Sequence, residues 1–97
     1  MTPLNPTPEH RELAKRIIWF ETPDQALADP IRFLAYAFRY GDFDDIELLR
    51  NAYSEDALTY ALINAPPGII DARSWAYWNL ILRDLSPPPP MPTRTFD

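Results

Sequence analysis

Proline placement does most to limit how this chain can fold. Twelve prolines and only two glycines occur in 97 residues. A proline ring fixes φ, removes an amide donor and is tolerated in a helix only in the first turn. Thr7-Pro8, Thr22-Pro23 and Asp29-Pro30 therefore read as three pairs of N-cap and first helical residue. Ala65-Pro66-Pro67-Gly68 cannot be helical, and Ser86-Pro87-Pro88-Pro89-Pro90-Met91-Pro92 favours an extended polyproline conformation. Between these joints Leu, Ala, Ile, Arg and Asp dominate, so helix is the most favourable backbone for most of the chain.

The periodicity predicts five helices and one shorter piece. The first runs from Pro8 to about Phe20, with Leu13, Ile17 and Phe20 on its inner stripe and a Glu12–Arg16 pair outside. Thr22, with Gln25 three residues on, has capping-box spacing, and Pro30 limits the helix that Thr22 opens to a turn or two. Pro30 to Tyr40 is the most apolar helix and the expected centre, with Arg32 and Arg39 as its one wet edge and Gly41 as a left-handed cap. Asp42 caps a helix to about Tyr53, and Ser54 caps another to about Asn64. Asp71 caps the last, Ala72 to about Leu85, where Trp75, Trp78, Leu82 and Leu85 keep helical spacing. The expected architecture is all-α: one compact bundle of about five short helices over residues 8–85, an N-terminal arm over 1–7 and a proline-rich extended tail over 86–97.

Size and composition narrow the function. A chain this short forms one domain and buries roughly 65% of its extended surface, too little to enclose a large ligand cavity. Cysteine is absent, which removes disulfides and thiolate chemistry and makes a reducing cytoplasm the expected location. No apolar stretch approaches the roughly 20 residues needed to cross a bilayer, and Met1 to Pro8 has no signal-peptide pattern, so no membrane role is expected. Two isolated glycines cannot build a phosphate-cradling loop. His10, in the first turn of a surface helix, has no serine set beside it and reads as solvent-facing. No catalysis, cofactor or metal is expected.

Charge is distributed unevenly. The net charge is −5. Residues 1–40 balance, with Arg11, Lys15, Arg16, Arg32 and Arg39 against Glu9, Glu12, Glu21, Asp24 and Asp29, and residues 61–97 balance as well. The surplus lies in residues 41–60, where Asp42, Asp44, Asp45, Glu47, Glu55 and Asp56 face only Arg50. Most of these carboxylates stand at helix starts, where the dipole favours them, and together they still project negative potential. They lack the central glycine and distal glutamate of a calcium loop. The patch suits a basic protein partner and not nucleic acid.

Three tryptophans, five tyrosines and five phenylalanines are many for so small a core, and surplus Trp and Tyr are common interface anchors. In Trp75-Ala76-Tyr77-Trp78 the tryptophans share a face and Tyr77 points elsewhere. Pro89, Pro92 and Arg94 fit a loose proline-groove ligand pattern, and Phe96 could anchor the tail.

At Trp19-Phe20, Arg32-Phe33-Leu34, Tyr40-Gly41-Asp42, Leu48-Leu49-Arg50 and Arg73-Ser74-Trp75-Ala76-Tyr77-Trp78 the chain resembles a family of small helical bacterial proteins. These are encoded beside abortive-infection-type nucleotidyltransferase toxins and regarded as their antitoxins. The resemblance spans about residues 19–82 and implies a protein that plugs the basic cleft of such a toxin. Asp42, Asp44, Asp45 and Glu47 would steer and pair, and Trp75, Tyr77, Trp78 and Phe96 would anchor. A helical DNA-binding regulator and a self-associating structural subunit, for instance a homodimer, are the rival readings. The first would need a recognition helix that concentrates basic residues, and none of these does.

Overall fold

The computed structural model describes residues 7–92, which form six α-helices and, among the described residues, no strand. In chain order these are α1 (Pro8–Ile17), α2 (Pro23–Ala28), α3 (Pro30–Tyr40), α4 (Phe43–Ala52), α5 (Glu55–Ile63) and α6 (Ala72–Arg83). The short piece after Thr22 is α2, a helix of 6 residues with both halves of its capping box in place.

Each helix begins where a side chain can take over an orphan amide. Thr7, Thr22, Asp29, Asp42, Ser54 and Asp71 each accept a hydrogen bond from the backbone N–H three residues on. A cap of this kind contributes about 1 kcal/mol, comparable with what a short helix lacks on its own.

Helix ends differ more from expectation. α1 stops at Ile17, three residues before Phe20, and the Ile18 amide closes its last turn on the Ala14 carbonyl at 2.9 Å. Ile17 and Ile18 are both buried, so the chain must leave the helix there to turn α2 back along α1. Phe20 is consequently half exposed and not part of the inner stripe. Gly41 ends α3 at φ −68° and ψ 141°, an ordinary extended conformation and not a left-handed one. Its glycine is required by crowding, because a Cβ there would lie 2.7 Å from the Ala37 carbonyl oxygen. The left-handed residue at a helix end is Asp84, φ 53°, after α6; short polar side chains tolerate that region better than most.

α3 is the central helix and packs against all five others. Its Phe33, Leu34, Ala35, Ala37 and Phe38 are buried, and the core adds Leu13 and Ile17 from α1, Leu49 from α4, Leu58 and Leu62 from α5, and Trp75 and Trp78 from α6. Arg32 is not a wet edge: it lies against Glu21 in a two-bond ion pair, 2.9 and 2.8 Å, with both side chains 25% exposed. His10 is also not solvent-facing. It is 7% exposed, and its Nδ1 has no partner among the described residues. Arg16 pairs with Asp45 of α4 and not with Glu12. After α6, Trp75 Nε1–H donates to the Pro89 carbonyl at 2.6 Å and Met91 packs on the core. The C-terminal residues from 93 lie outside the described part.

The close approach at Gly41 gives a direct test. Gly41→Ala should destabilise the fold by about 1–3 kcal/mol, as overpacking against rigid backbone does, and lower the thermal midpoint by several degrees in a circular-dichroism melt. An unchanged midpoint would mean that the end of α3 yields to a methyl group.

Candidate functional site

The acidic segment divides into an outward and an inward part. Asp42 is exposed as the N-cap of α4, its Oδ1 accepting from the Asp45 amide at 3.0 Å. Asp44 and Glu47 are exposed as well. Asp45 is 6% exposed. Its carboxylate accepts from the Asp42 amide at 2.9 Å, and Arg16 of α1 grips both of its oxygens, at 2.9 and 2.6 Å. Asp45 is thus a tie between α1 and α4, its carboxylate engaged by Arg16 and the Asp42 amide, and its burial takes it out of the solvent-facing part of the acidic patch. The Arg16 hydrogen bond is the main cause that holds its carboxyl below the ordinary 3.8, outweighing the opposing effect of burial.

The last helix is corrected in the same way. Trp75 and Trp78 are 4% and 3% exposed and belong to the core, so they cannot serve as surface anchors. Trp78 packs tilted against Phe38 with centroids 4.8 Å apart and donates its indole N–H to the Phe38 carbonyl at 2.9 Å. Tyr77 is half exposed and meets Trp78 edge-on. Phe96 lies outside the described residues.

Three of the six exposed aromatics among the described residues gather elsewhere. Trp19, in the turn after α1, is 79% exposed and contacts Phe20 edge-on at 5.3 Å. Phe20 meets Tyr36 of α3 at 5.9 Å, and Tyr36 stacks on Tyr40 one turn later at 6.3 Å with 16° between the rings. The Arg32 guanidinium lies within cation–π range of both Phe20 and Tyr36. Glu21 holds Arg32 by two bonds, and Arg32 in turn braces Phe20 and Tyr36, the middle two rings of the ledge. A hollow of about 230 Å³ beneath Trp19, Phe20 and Tyr40 is lined by Arg16. The same Arg16 lines a second hollow with Asp44 and Asp45, so the ledge and the acidic start of α4 are neighbours on one surface.

Sequence reasoning missed this ledge. The signal available was the Arg32, Tyr36, Tyr40 spacing, i, i+4 and i+8, which puts the two rings on the edge already assigned to solvent. The position of Trp19 was not readable, because it depends on where α1 stops.

No protein-family model matches this chain, and no curated protein or solved structure is significantly similar to it. Among the described residues no helix is long and apolar enough to cross a membrane. No group of three or more His, Asp or Glu side chains there is placed to hold a metal ion.

The Arg16–Asp45 tie predicts a pH dependence with a definite sign. A carboxyl whose folded pKa is depressed adds stability above its unfolded value and loses it as pH falls through the folded one. Stability should therefore decline below about pH 4, the unfolded range of an aspartate. Asp45→Asn should cost about 1–2 kcal/mol near pH 7, a figure reduced by the half-exposed Arg16, and progressively less near pH 3. Urea unfolding of both proteins across that range measures it, and a constant difference would contradict the assigned role.

Proposed function

We propose that this chain is a non-catalytic protein-binding module whose docking surface is the aromatic ledge of Trp19, Phe20, Tyr36 and Tyr40 together with the acidic start of α4. The supporting observation is the exposure of several large rings in one braced cluster beside solvent-facing carboxylates. Tryptophan, tyrosine and arginine dominate binding hot spots, and holding them rigid in advance reduces the entropy lost on association. Asp42, Asp44 and Glu47 would act at longer range. Their negative field suits a basic partner surface and would raise the association rate more than the final affinity.

The partner class comes from the resemblance of the chain to antitoxin-like proteins. A nucleotidyltransferase must attract triphosphate, so its cleft is expected to be basic, and an acidic helical protein with an aromatic ledge would occlude it. In this reading the chain is the antitoxin of a bacterial toxin–antitoxin pair and works in the cytoplasm. The proline-rich segment, whose Pro89 carbonyl accepts from the Trp75 indole, would lengthen the contact, and Phe96 would add an apolar end.

Sequencing the genes beside this one, and binding the purified chain to any nucleotidyltransferase they encode, tests this. Trp19→Ala should weaken the complex by about 2 kcal/mol or more, roughly thirtyfold, chiefly through faster dissociation. Asp44→Lys with Glu47→Lys should slow association about tenfold or more at low salt and much less at high salt. If both variants bind and inhibit like the original protein, the surface assigned is wrong; if the original chain does not bind, the partner class is wrong.

A further inference from the structure

A second candidate site borders the acidic start of α4. Between α4 and α6 the surface opens into a cleft of about 560 Å³, within the roughly 300–1,000 Å³ typical of small-molecule sites. Phe38 and Trp78 line it from within the core, while Phe43 from α4, 76% exposed, and Tyr77 from α6, 54% exposed, line it with rings open to solvent. Arg39 of α3, Arg50 of α4 and Arg73 of α6 also line it.

These arginines differ from the others in their partners. Among the described residues the ion pairs use Arg11, Arg16 and Arg32, and Arg83 donates to Asn79. Arg39, Arg50 and Arg73 have no carboxylate of the described residues within pairing distance, although Asp42, Glu47 and Asp71 line the same cleft. Asp42 and Asp71 each commit an oxygen to a helix cap, at 3.0 Å from the Asp45 amide and 2.8 Å from the Ser74 amide. All three carboxylates keep their charge, so the lining sets three guanidiniums against Asp42, Glu47 and Asp71, and an incoming phosphate competes with these carboxylates for the arginines. Asp71 is held below its ordinary range first by the Ser74 amide and, to a smaller degree, by Arg39 and Arg73, whose positive field thus reaches into the cleft.

We infer that this cleft binds a nucleoside monophosphate, its phosphate held by Arg39, Arg50 and Arg73 and its base laid against Phe43 and Tyr77. Guanidinium groups match phosphate oxygens in pairs, and exposed rings stack on any base face. The cleft takes one nucleotide and not a polymer, because a protein of net charge −5 gives a longer phosphate backbone little to follow. This site does not depend on the protein-docking reading, since the isolated chain suffices to test it, although Asp42 and Glu47 line the cleft and belong to the acidic start of α4 as well.

Titrating the full isotopically labelled chain with adenosine monophosphate, inorganic phosphate and adenosine, followed by amide chemical shifts, tests the assignment. The nucleotide should shift amides around residues 39–50 and 71–77 and bind at least about tenfold more tightly than either half. Arg50→Gln and Arg73→Gln should each weaken it about tenfold. Tyr77→Ala should weaken the nucleotide but not phosphate, and Glu47→Gln should tighten both severalfold by removing a like charge. All four of these side chains are exposed, and melting curves of each variant show that it is folded. Phosphate binding as tightly as the nucleotide overturns the ring contribution. Absence of saturable shifts, or affinity indifferent to the arginines, overturns the site.

Discussion

The end of α3 sets a constraint that much of this molecule answers. In a continuing helix the Phe38 carbonyl would receive the Asp42 amide, but the chain turns at Gly41 and that amide is captured by Asp45 instead. A buried carbonyl without a donor costs about 1–3 kcal/mol, and Trp78 supplies the donor from α6 at 2.9 Å. One hydrogen bond therefore closes the end of the central helix, fixes α6 against it and places Trp78 in the core. Both halves of this arrangement are needed: the capping box at Asp42 frees the carbonyl, and the tryptophan takes it up.

The same corner explains why acidic residues dominate residues 42–47. Asp42 and Asp45 cap each other, and Asp45 reaches further to Arg16, so one carboxylate supports a helix start and joins α1 to α4 at once. That leaves Asp44 and Glu47 with no ion-pair partner among the described residues. The inner pair contributes to stability through short, oriented bonds that salt screens weakly. The outer pair makes a field that solvent and salt weaken readily, which limits it to steering.

The parts of this fold legible in the sequence are those decided within a few residues. Each helix start has its cap and often its proline in adjacent positions, so Thr7, Thr22, Asp29, Asp42, Ser54 and Asp71 could be read directly, and the low charge of α3 marked it as central. What escaped was decided by distant partners. Whether Asp45 or Asp44 faces inward depends on Arg16, twenty-nine positions away. Whether Trp19 or Trp75 is exposed depends on where α1 yields to α2, and on the Pro89 carbonyl that takes the Trp75 indole. Composition marked surplus aromatics as candidates for a surface, but only tertiary packing could say that the exposed ones among the described residues are Trp19, Phe20, Tyr40, Phe43, Tyr60 and Tyr77 and not the tryptophans of α6.

Arg39 connects the two surfaces. Its guanidinium lies 5.0 Å from the Tyr40 ring at one end of the aromatic ledge, and its side chain also lines the cleft between α4 and α6. An anion that draws Arg39 into the cleft removes it from Tyr40, and by linkage a partner that orders Tyr40 and Arg39 together disfavours the anion to the same degree. An exposed cation–π contact contributes about 0.5–1 kcal/mol, so this coupling cannot exceed a severalfold change in either affinity. That contact alone therefore tunes and does not switch; Asp42 and Glu47, which line the cleft and belong to the proposed docking surface, add a further electrostatic link between the two proposed sites.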